Sequence, residues 1–507
     1  MAPTKQSAMK RCSGIFLHPT SLPSRYGIGD LGATAFQWID ILYKIKQTTW
    51  QVCPLCPTGY GDSPYQSLSS FAGNSLLVSP DKLYEWGLLT KEEIDAYPAL
   101  PARRIDYGAV ITHKKTLFEK ACHRFVENSD FLTFCDKEKY WLDDYVLFRV
   151  IKEAQGGAPW NMWPAALKLR FPAALAELRA RERQSFRYYQ LMQYFFHKQW
   201  NELRTYAAMH GISIVGDIPY CVSYDSADAW AMPDMFEFDE NGLPIRVAGV
   251  PPDYFSATGQ RWGNPVYRWN YIRESGYAWW VDRIRKSLSL LDYVRMDHFR
   301  GFESYWAIPS ECQTAIEGEW VPGPGLEFFD VLKRQLGSLP IIAEDLGDIT
   351  DKVDELRKAA GLSGIKVLQF AFDGNPKNPY LPYNIPPDSV VYTGTHDNDT
   401  SLGWFLSIDQ KQRNRVCDFL GCSEYGFMEA FLRQAFAAPS FLCVIPFQDV
   451  LGLGSEHRLN KPGLESNNWQ WRFTVDMVTE DKLRMIEDFT KIYGRGPHAA
   501  VAPGSPG

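Results

Sequence analysis

Eight short apolar segments recur along the chain, and stretches with helical spacing separate most of them. A run of apolar residues bounded by Gly, Pro or Asp predicts a buried strand, whereas apolar positions three and four residues apart predict a helix. The predicted strands are residues 14–19, 49–55, 212–218, 290–297, 339–344, 364–370, 389–395 and 441–446. Helices are predicted at residues 33–45, 350–360 and 410–419, among others.

This alternation predicts the fold class. Near-continuous apolar strands separated by helices are typical of a parallel sheet that is covered on both faces. Eight of them predict a closed (β/α)8 TIM barrel of the α/β class. An open doubly wound sheet is the alternative, but no nucleotide-binding glycine fingerprint follows the first strand. In barrels the active site lies at the C-terminal ends of the strands, so the residues that end them are the candidates for chemistry.

Two long segments interrupt the alternation. Residues 83–210 carry many charges and show helical spacing at 121–128, 143–153 and 188–209, so we predict a mostly helical subdomain. Residues 234–270 include the Gly- and aromatic-rich run 250–265, which predicts a lid-like binding loop. We therefore expect one catalytic barrel over residues 11–480 with two insertions. The Ala-, Pro- and Gly-rich tail 498–507 is predicted to be disordered.

Composition narrows the class of protein. Hydrophobic residues make up 45% and charged residues 22% of the 507 residues, as in soluble globular proteins. The net charge is -7 without a long basic run, which argues against nucleic acid or a membrane surface as a partner. No apolar run is long enough to span a membrane, and the first ten residues lack the apolar core of a signal peptide. We expect a cytoplasmic protein.

Cysteine and glycine motifs give weaker signals. Ten cysteines in so long a chain do not indicate a disulfide framework. Cys53 and Cys56 have CxxC spacing, but no second CxxC completes a zinc site and the flanking prolines indicate a turn. The run 452–455 after the eighth strand predicts a turn, with a barrel phosphate site as the alternative.

Charged residues end four of the predicted strands. Asp and Asn often begin the helix after a strand, and such capping would account for Asp348 or Asp399 taken singly. Capping does not explain why Arg and His accompany the acids. The strand-end residues are Asp217, Arg295, Asp297, His298, Glu344, Asp345, His396, Asp397, Asn398 and Asp399.

The fourth strand places a base beside an acid. Arg295 and Asp297 are two residues apart, so on a strand they face the same way. A guanidinium beside a carboxylate keeps it ionised, and an ionised carboxylate fixed at a strand end is what a carboxylate nucleophile requires. From this stretch alone, a buried Asp–Arg pair that caps the next helix is an equal alternative.

The fifth strand supplies a complementary acid. Glu344 follows the apolar run 341–343 and precedes Asp345, so partial desolvation and a like charge are expected to raise its pKa. Retaining glycosidases use one ionised and one protonated carboxyl group, ~5–5.5 Å apart. Ends of adjacent strands lie ~4.8 Å apart, so Asp297 and Glu344 are placed for cleavage of a glycosidic bond.

Seven motifs carry a resemblance to a known family. From about residue 14 to residue 472 the chain resembles the 4-α-glucanotransferases called amylomaltases or disproportionating enzymes, glycoside hydrolase family 77. The motifs are Ser63-Pro64-Tyr65-Gln66, Gly216-Asp217-Ile218-Pro219-Tyr220, Gly249-Val250-Pro251-Pro252-Asp253, Arg261-Trp262-Gly263-Asn264-Pro265, Arg295-Met296-Asp297-His298-Phe299-Arg300-Gly301, Ala343-Glu344-Asp345-Leu346-Gly347 and Thr395-His396-Asp397-Asn398-Asp399.

The resemblance implies a catalytic set and its reaction. It makes Asp297 the nucleophile, Glu344 the acid/base and Asp397 the third carboxylate, which grips sugar hydroxyls. The implied donors and acceptors are maltooligosaccharides and other α-1,4-glucans, with glucose also an acceptor. No cofactor, no metal and no C-terminal β-sandwich are implied.

The resemblance also implies substrate-binding residues. Arg295 would keep Asp297 anionic and contact a sugar hydroxyl. Asp217 and His396 would bind the donor sugar and Tyr65 would stack on it. Trp262 would cover the glucan, and His298 joins this group. The aromatic stretch 467–472 is a further candidate for sugar contact, with core packing of Trp471 as the alternative.

Three other functions compete with this interpretation. An α-amylase-like hydrolase would use the same acids with water as the acceptor. A catalytically inactive glucan-binding protein is opposed by the presence of all three carboxylates. A metal-dependent barrel such as a sugar isomerase would need more ligands around one ion, and Arg295 within the cluster would oppose a cation.

Overall fold

The computed structural model of the chain describes residues 10–252, 256–464 and 466–497. Within these residues the strands are β1 (Cys12–Phe16), β2 (Thr49–Gln51), β3 (Ser213–Ile218), β4 (Arg246–Val250), β5 (Gln260–Pro265), β6 (Tyr293–Met296), β7 (Ser304–Pro309), β8 (Glu319–Pro322), β9 (Ile341–Ala343), β10 (Gly364–Val367), β11 (Ser389–Tyr392) and β12 (Leu442–Pro446). The tail 498–507, predicted to be disordered, lies outside the described residues.

The α-helices follow the strands in the pattern of a barrel. Over the same described residues they are α1 (Ala33–Lys44), α2 (Pro80–Glu85), α3 (Lys91–Asp95), α4 (Tyr107–Arg124), α5 (Ser129–Ala154), α6 (Ala165–Lys168), α7 (Pro172–Arg181), α8 (Arg183–Met209), α9 (Ala227–Ala231), α10 (Trp269–Glu274), α11 (Ala278–Leu290), α12 (Gly325–Leu336), α13 (Asp351–Ala359), α14 (Ser401–Ser407), α15 (Gln410–Leu420), α16 (Phe427–Ala437), α17 (Phe447–Val450) and α18 (Glu480–Ile492).

Eight parallel strands form the barrel that the sequence predicts. Their order is β10-β11-β12-β1-β2-β3-β6-β9, and a parallel bridge between Ile342 and Ser363 joins the two ends. β11 and β12 are buried along their whole length, because neighbouring strands and covering helices exclude water from both faces. Most of these strands end before their predicted C-terminal limits. The segment predicted as 364–370, for example, leaves the sheet after Val367 and enters a 3-10 turn.

Helices α2 to α8 fill the connection between β2 and β3. The long helices α5 and α8 pack against each other, and a buried ion pair joins this group to the barrel helix α11, with Lys286 Nζ 2.6 Å from Glu138 Oε2. The helical segment predicted over 121–128 is confirmed only as far as Arg124. Helix α4 ends at Arg124, and the Asn128 side chain accepts a hydrogen bond from the Phe131 N–H and so caps the start of α5.

The lid-like loop predicted for residues 234–270 is wrong in its main part. It contains β4 and β5, which belong to a four-stranded antiparallel sheet in the order β5-β4-β7-β8. Val247 of β4 and Ile308 of β7 form a small apolar cluster with Ala315 on this sheet. Strand β4 pairs with β5 and also with β7, which comes from a later part of the chain, so no local pattern in 234–270 shows that the sheet extends beyond these two strands. Residues 253–255, in the middle of the predicted loop, lie outside the described residues.

The ten cysteines are all free thiols. Cys53 and Cys56 follow β2 in the interior, where burial raises the pKa of Cys56 to about 12 and that of Cys53 well above its ordinary value. Both thiols are therefore protonated at neutral pH and are weak nucleophiles. Among the described residues, no helix is both long enough and apolar enough to cross a membrane.

Candidate active site

Three adjacent barrel strands bring the predicted acids to one mouth. The register aligns Asp217 of β3 with Arg295 of β6, and Met296 of β6 with Ala343 of β9. The ladder continues one residue further, since the Asp297 N–H donates to Ile218 O at 3.0 Å and the Glu344 N–H donates to Met296 O at 3.0 Å. The residues that directly follow β6 and β9 are therefore side by side, as the sequence predicts for Asp297 and Glu344.

Arg295 is the cation that pairs with two of the acids in this mouth. Its Nη1 donates to Asp217 Oδ2 at 2.6 Å and to Asp297 Oδ1 at 2.9 Å. The side chain of Arg295 is 4% exposed, that of Asp217 1% and that of Asp297 27%. The expectation that Arg295 and Asp297 face the same side is confirmed. Asp297 caps no helix, because the 3-10 turn Phe299–Phe302 begins after His298.

Replacing Arg295 by Met is expected to destabilise the fold by about 3–5 kcal/mol, because two carboxylates would lose the cation that neutralises them in a buried place. Chemical denaturation of the variant measures this loss. The matched control is Arg295→Met combined with Asp217→Asn. It removes one of the two carboxylates that have lost their cation, so the double variant should regain part of the stability. If the single variant is as stable as the parent protein, Arg295 is not needed to neutralise the two carboxylates.

Asp217 is a partner of Arg295 and Tyr65 in this structure. The Tyr65 hydroxyl donates to Asp217 Oδ2 at 3.0 Å. Burial raises the pKa of Asp217 to about 6; Arg295 opposes the rise and Asp297 adds to it. The side chain of Asp217 is almost completely buried, and its contact with the donor sugar stays a prediction.

His396 and Asp397 complete this side of the mouth. The Tyr65 ring stacks on the His396 ring, with centroids 4.9 Å apart and planes 19° apart. His396 Nε2 lies 3.3 Å from Asp397 Oδ2. Burial opposes charge on both groups, but the Asp397 carboxylate raises the pKa of His396 overall and His396 lowers that of Asp397. Asp397 keeps 44% of its side chain exposed, so an ionised carboxylate faces the opening.

Glu344 has the raised pKa that a general acid needs. Its Oε2 accepts from the His298 N–H at 2.8 Å and its Oε1 from the Leu346 N–H at 3.0 Å. Burial raises the pKa of Glu344 to about 7; Arg295 opposes the rise and the Asp297 charge reinforces it. About half of these carboxyl groups are therefore protonated at neutral pH.

The like charge beside Glu344 was predicted to be Asp345, and this is wrong. Asp345 Oδ1 accepts from the Ile365 N–H at 2.7 Å, and its Oδ2 lies 3.4 Å from both Lys366 Nζ and Arg357 Nε. Successive residues of an extended chain face opposite ways, so Asp345 is directed toward β10 and neutralised there. The anion that acts on Glu344 is Asp297.

His298, which directly follows the nucleophile candidate, meets Trp262. His298 has a left-handed backbone, with φ of 48°, and its ring packs edge-on against Trp262 at 4.8 Å. Burial lowers the pKa of His298 to about 4, so the ring is neutral. Trp262 lies on β5 and is half-buried, and its Nε1–H donates to Gln260 Oε1 at 3.2 Å. The antiparallel sheet thus contacts the barrel next to Asp297.

Three residues of the site were not assigned from the sequence. Trp469 lies 5.7 Å, between ring centroids, from both Tyr65 and His396. Asn460 Nδ2 donates to Asp397 Oδ1 at 2.6 Å, and Arg458 donates to the Asp397 carbonyl. The aromatic stretch 467–472 pointed to Trp469 without identifying it. Nothing around Arg458 or Asn460 distinguishes them from ordinary loop residues.

The capping alternative is wrong for the two aspartates to which it was applied. The residues that precede helices α13 and α14 are Thr350 and Thr400, and Thr400 Oγ1 accepts from the Gly403 N–H at 3.1 Å. Asp348 lies 3.3 Å from Arg300 instead. Asp399 accepts from Ser455 Oγ at 2.7 Å, so the run 452–455 is tied to the loop that carries Asp397.

Comparisons with known proteins agree with this geometry. The model of the family described as 4-alpha-glucanotransferase matches residues 17–477. A 4-alpha-glucanotransferase of Synechocystis sp. is 46% identical over 496 residues, which cover 96% of this chain and 98% of the relative. One of Thermus thermophilus is 45% identical over 500 residues, covering 95% and 99%. The structure of amylomaltase from Streptococcus agalactiae in complex with acarbose superimposes with a TM-score of 0.94 at 38% identity, covering 96% of this chain and all of that one (100%).

Proposed function

Because the chain belongs to the 4-alpha-glucanotransferase family, glycoside hydrolase family 77, we propose that Asp297, Glu344 and Asp397 are the carboxylates that transfer its glucan segments. The observation that carries this assignment is the contrast between two adjacent strand ends. Asp297 is paired with Arg295, whereas burial brings the pKa of Glu344 to about 7. One anion and one protonated acid side by side are what retaining cleavage of a glycosidic bond requires.

The first half-reaction breaks the donor glucan. Glu344 gives its proton to the oxygen of the α-1,4 bond while Asp297 attacks the anomeric carbon, and the fragment with the reducing end leaves. The products are that fragment, with the proton on its 4-oxygen, and a glycosyl ester on Asp297. Arg295 pairs with the attacking carboxylate and holds it in place, since its Nη1 is 2.9 Å from Asp297 Oδ1.

The second half-reaction builds the new bond. Esterification removes the negative charge of Asp297, and with it one of the causes of the high pKa of Glu344. Glu344, now an anion, takes the proton from the 4-hydroxyl of an acceptor glucan, whose oxygen attacks the anomeric carbon and releases Asp297. Two displacements restore the α configuration.

The donor sugar is bound by the Tyr65 side of the mouth. The Tyr65 ring, against which the buried Trp469 packs, offers apolar surface to the sugar face, and the exposed Asp397 carboxylate accepts hydrogen bonds from sugar hydroxyls. His396 is stacked on Tyr65 and ion-paired with Asp397, so it donates to the sugar from a fixed position. Asp217 accepts hydrogen bonds from the Tyr65 hydroxyl and from Arg295, and so positions both side chains.

Transfer rather than hydrolysis requires that an acceptor sugar exclude water from the glycosyl-enzyme. Trp262 is our candidate for this role, with neutral His298 as its support, because its ring packs against His298, the residue that directly follows the nucleophile. The substrates are maltooligosaccharides and longer α-1,4-glucans as donors, and the same glucans or glucose as acceptors.

The barrel and its two insertions act as one catalytic unit in this proposal, which is supported by a single apolar core that includes residues of the barrel and of helices α4 to α8. We place the enzyme in the cytoplasm, where thiols remain reduced; its ten free cysteines support this. Fractionation of cells that express the chain tests the location.

Incubation with maltotriose tests the function. We expect glucose together with maltopentaose and longer oligosaccharides, while the total number of reducing ends stays nearly constant, since each transfer breaks one α-1,4 bond and makes another. Product chromatography and a reducing-end assay measure both quantities. A steady rise in reducing ends with only shorter products would indicate an α-amylase-like hydrolase. Absence of any reaction would contradict the catalytic assignment and favour a glucan-binding protein.

A further inference from the structure

A reciprocal pair of amide side chains joins the segment that carries Tyr65 to the strand that carries Trp262. Gln66 Nε2 donates to Asn264 Oδ1 at 3.1 Å, and Asn264 Nδ2 donates to Gln66 Oε1 at 3.4 Å. Asn264 Nδ2 also donates to the Val222 carbonyl at 2.9 Å. This third bond sets the orientation of the Asn264 amide, because a carbonyl accepts only from its nitrogen, and Oδ1 is then turned toward Gln66.

Gln66 is part of a stiff hairpin that carries the donor-side ring. Residues 58–67, which we call the Tyr65 hairpin, are closed at their base by a bridge between Thr58 and Ser67. Gly59 lies so close to the Gln66 carbonyl that a Cβ there would come within 2.1 Å of its oxygen. Gln66 directly follows Tyr65, so a hydrogen bond to its side chain restrains the hairpin next to the stacking ring.

Asn264 is part of the strand that carries the acceptor-side ring. It lies two residues after Trp262 on β5, and Gly263 between them has a φ of 79°, a conformation that favours glycine. Trp262 contacts His298, whereas Asn264 contacts Gln66 and Val222. The side chain of Asn264 is buried (the residue is 4% exposed), so its hydrogen bonds are shielded from competing water.

We propose that the Gln66–Asn264 amide pair is a positioning device that fixes the separation between the Tyr65 hairpin and the Trp262 strand, and that this separation sets the ratio of glucan transfer to hydrolysis. The inference rests on the proposed function. Neither amide is assigned a contact with sugar; both act through the ring beside them.

The physical link is the competition for one ester bond. In the second half-reaction the bond between Asp297 and the sugar is broken either by an acceptor 4-hydroxyl or by water, and Glu344 receives the proton in both cases. The acceptor succeeds only if its ring is held against the donor in the right geometry, and small displacements strongly reduce the rate of an oriented reaction. Water needs no such support, so a looser mouth favours hydrolysis.

The test compares isosteric variants that remove the amides. Gln66→Met and Asn264→Leu keep the volume of each side chain and delete its hydrogen bonds. We expect each to raise the hydrolysed share of cleaved maltotriose about threefold to tenfold, the range that one lost hydrogen bond is worth. The double variant should be no worse than the stronger single variant, because both substitutions remove the same link.

Two further variants separate positioning from general destabilisation. Gln410→Met breaks a matched amide contact on the exposed face of α15, where Gln410 Nε2 donates to Asn414 Oδ1 at 2.9 Å, and should leave the ratio unchanged. Gln66→Glu keeps an acceptor for Asn264 Nδ2. Its ratio of transfer to hydrolysis should therefore be closer to that of the parent protein than the ratio of Gln66→Met. Thermal melting verifies that each variant folds. If Gln66→Met and Asn264→Leu do not fold, the ratio of transfer to hydrolysis measured for Gln66→Glu decides whether the amide pair positions the two segments.

An unchanged ratio in a folded Gln66→Met variant would overturn the proposal, as would additive effects in the double variant. A parent protein that yields no longer oligosaccharides from maltotriose would contradict the proposed function itself, before any variant is measured. The two failures are therefore distinguishable.

Discussion

Replacing Asp297 by Asn is expected to lower kcat by about 10⁴-fold or more while the barrel remains folded. The amide is nearly isosteric with the carboxylate and still accepts a hydrogen bond from Arg295, but it is too weak a nucleophile to attack the anomeric carbon. Turnover of maltotriose measures the loss, and circular dichroism verifies folding. Near-normal turnover in a folded Asp297→Asn variant, freshly purified to exclude deamidation, would refute the assignment of the nucleophile.

Chemical rescue shows which of the two carboxylates was removed. With an α-maltosyl fluoride donor, whose fluoride leaves without an acid, azide should occupy the space left in Asp297→Ala and attack from the opposite face, giving the β-glycosyl azide. In Glu344→Ala the ester on Asp297 forms first, so the same reagents should give the α-glycosyl azide. The same anomer from both variants would contradict the assigned roles.

Glu344→Gln should be the second severe variant, with turnover of maltotriose reduced by about 10³-fold or more. With α-maltosyl fluoride the first half-reaction should remain fast, because fluoride needs no proton. The second half-reaction lacks its base, so a glycosyl-enzyme should accumulate. Intact-protein mass spectrometry should then detect one added maltosyl group on Asp297. Detection of only unmodified protein under these conditions would exclude Glu344 as the acid/base.

The raised pKa of Glu344 has two consequences for pH dependence. In the parent protein kcat/KM should fall above about pH 7, where the acid has lost its proton. Stability has the same sign: the folded pKa of about 7 exceeds the ordinary value of 4.5, so the neutral carboxyl is fully stabilising below about pH 4.5 and this contribution is lost as the pH rises through 7.

The Glu344→Gln side chain is neutral at every pH, so the stability of this variant relative to the parent should increase by about 1–3 kcal/mol between pH 4 and pH 8. Denaturation curves of both proteins at the two pH values measure the change. A difference that does not vary with pH would mean that Glu344 is ionised freely in the folded state.

The barrel and the central pair of acids could be predicted from the sequence because each depends on local pattern. Parallel strands are buried on both faces, so in the sequence they appear as continuous apolar runs that alternate with helices. Asp297 and Glu344 directly follow two such runs, β6 and β9. Once the strands are parallel neighbours, the residue after each must lie at the same edge of the barrel.

Motif residues with a role near their own strand were also found. Arg295 lies two residues before Asp297, and pleating alone places them on one side. Tyr65, His396 and Asp397 were identified through family motifs, and the structure brings them together as neighbours of Asp217 and Arg295.

What the sequence by itself determined is therefore the set of buried strands and the acids at their ends, since both are encoded within a few consecutive residues. Only the tertiary structure decided how distant segments complete the site: β4 pairs with β7 as well as with β5, Asn460 reaches Asp397, and Trp469 reaches Tyr65. It also decided that burial raises the pKa of Glu344 and that the like charge adding to the rise is Asp297 rather than Asp345. Contacts between segments far apart in the chain produce no periodic pattern in the sequence. The burial of a side chain and the charges around it depend on how all the segments pack together.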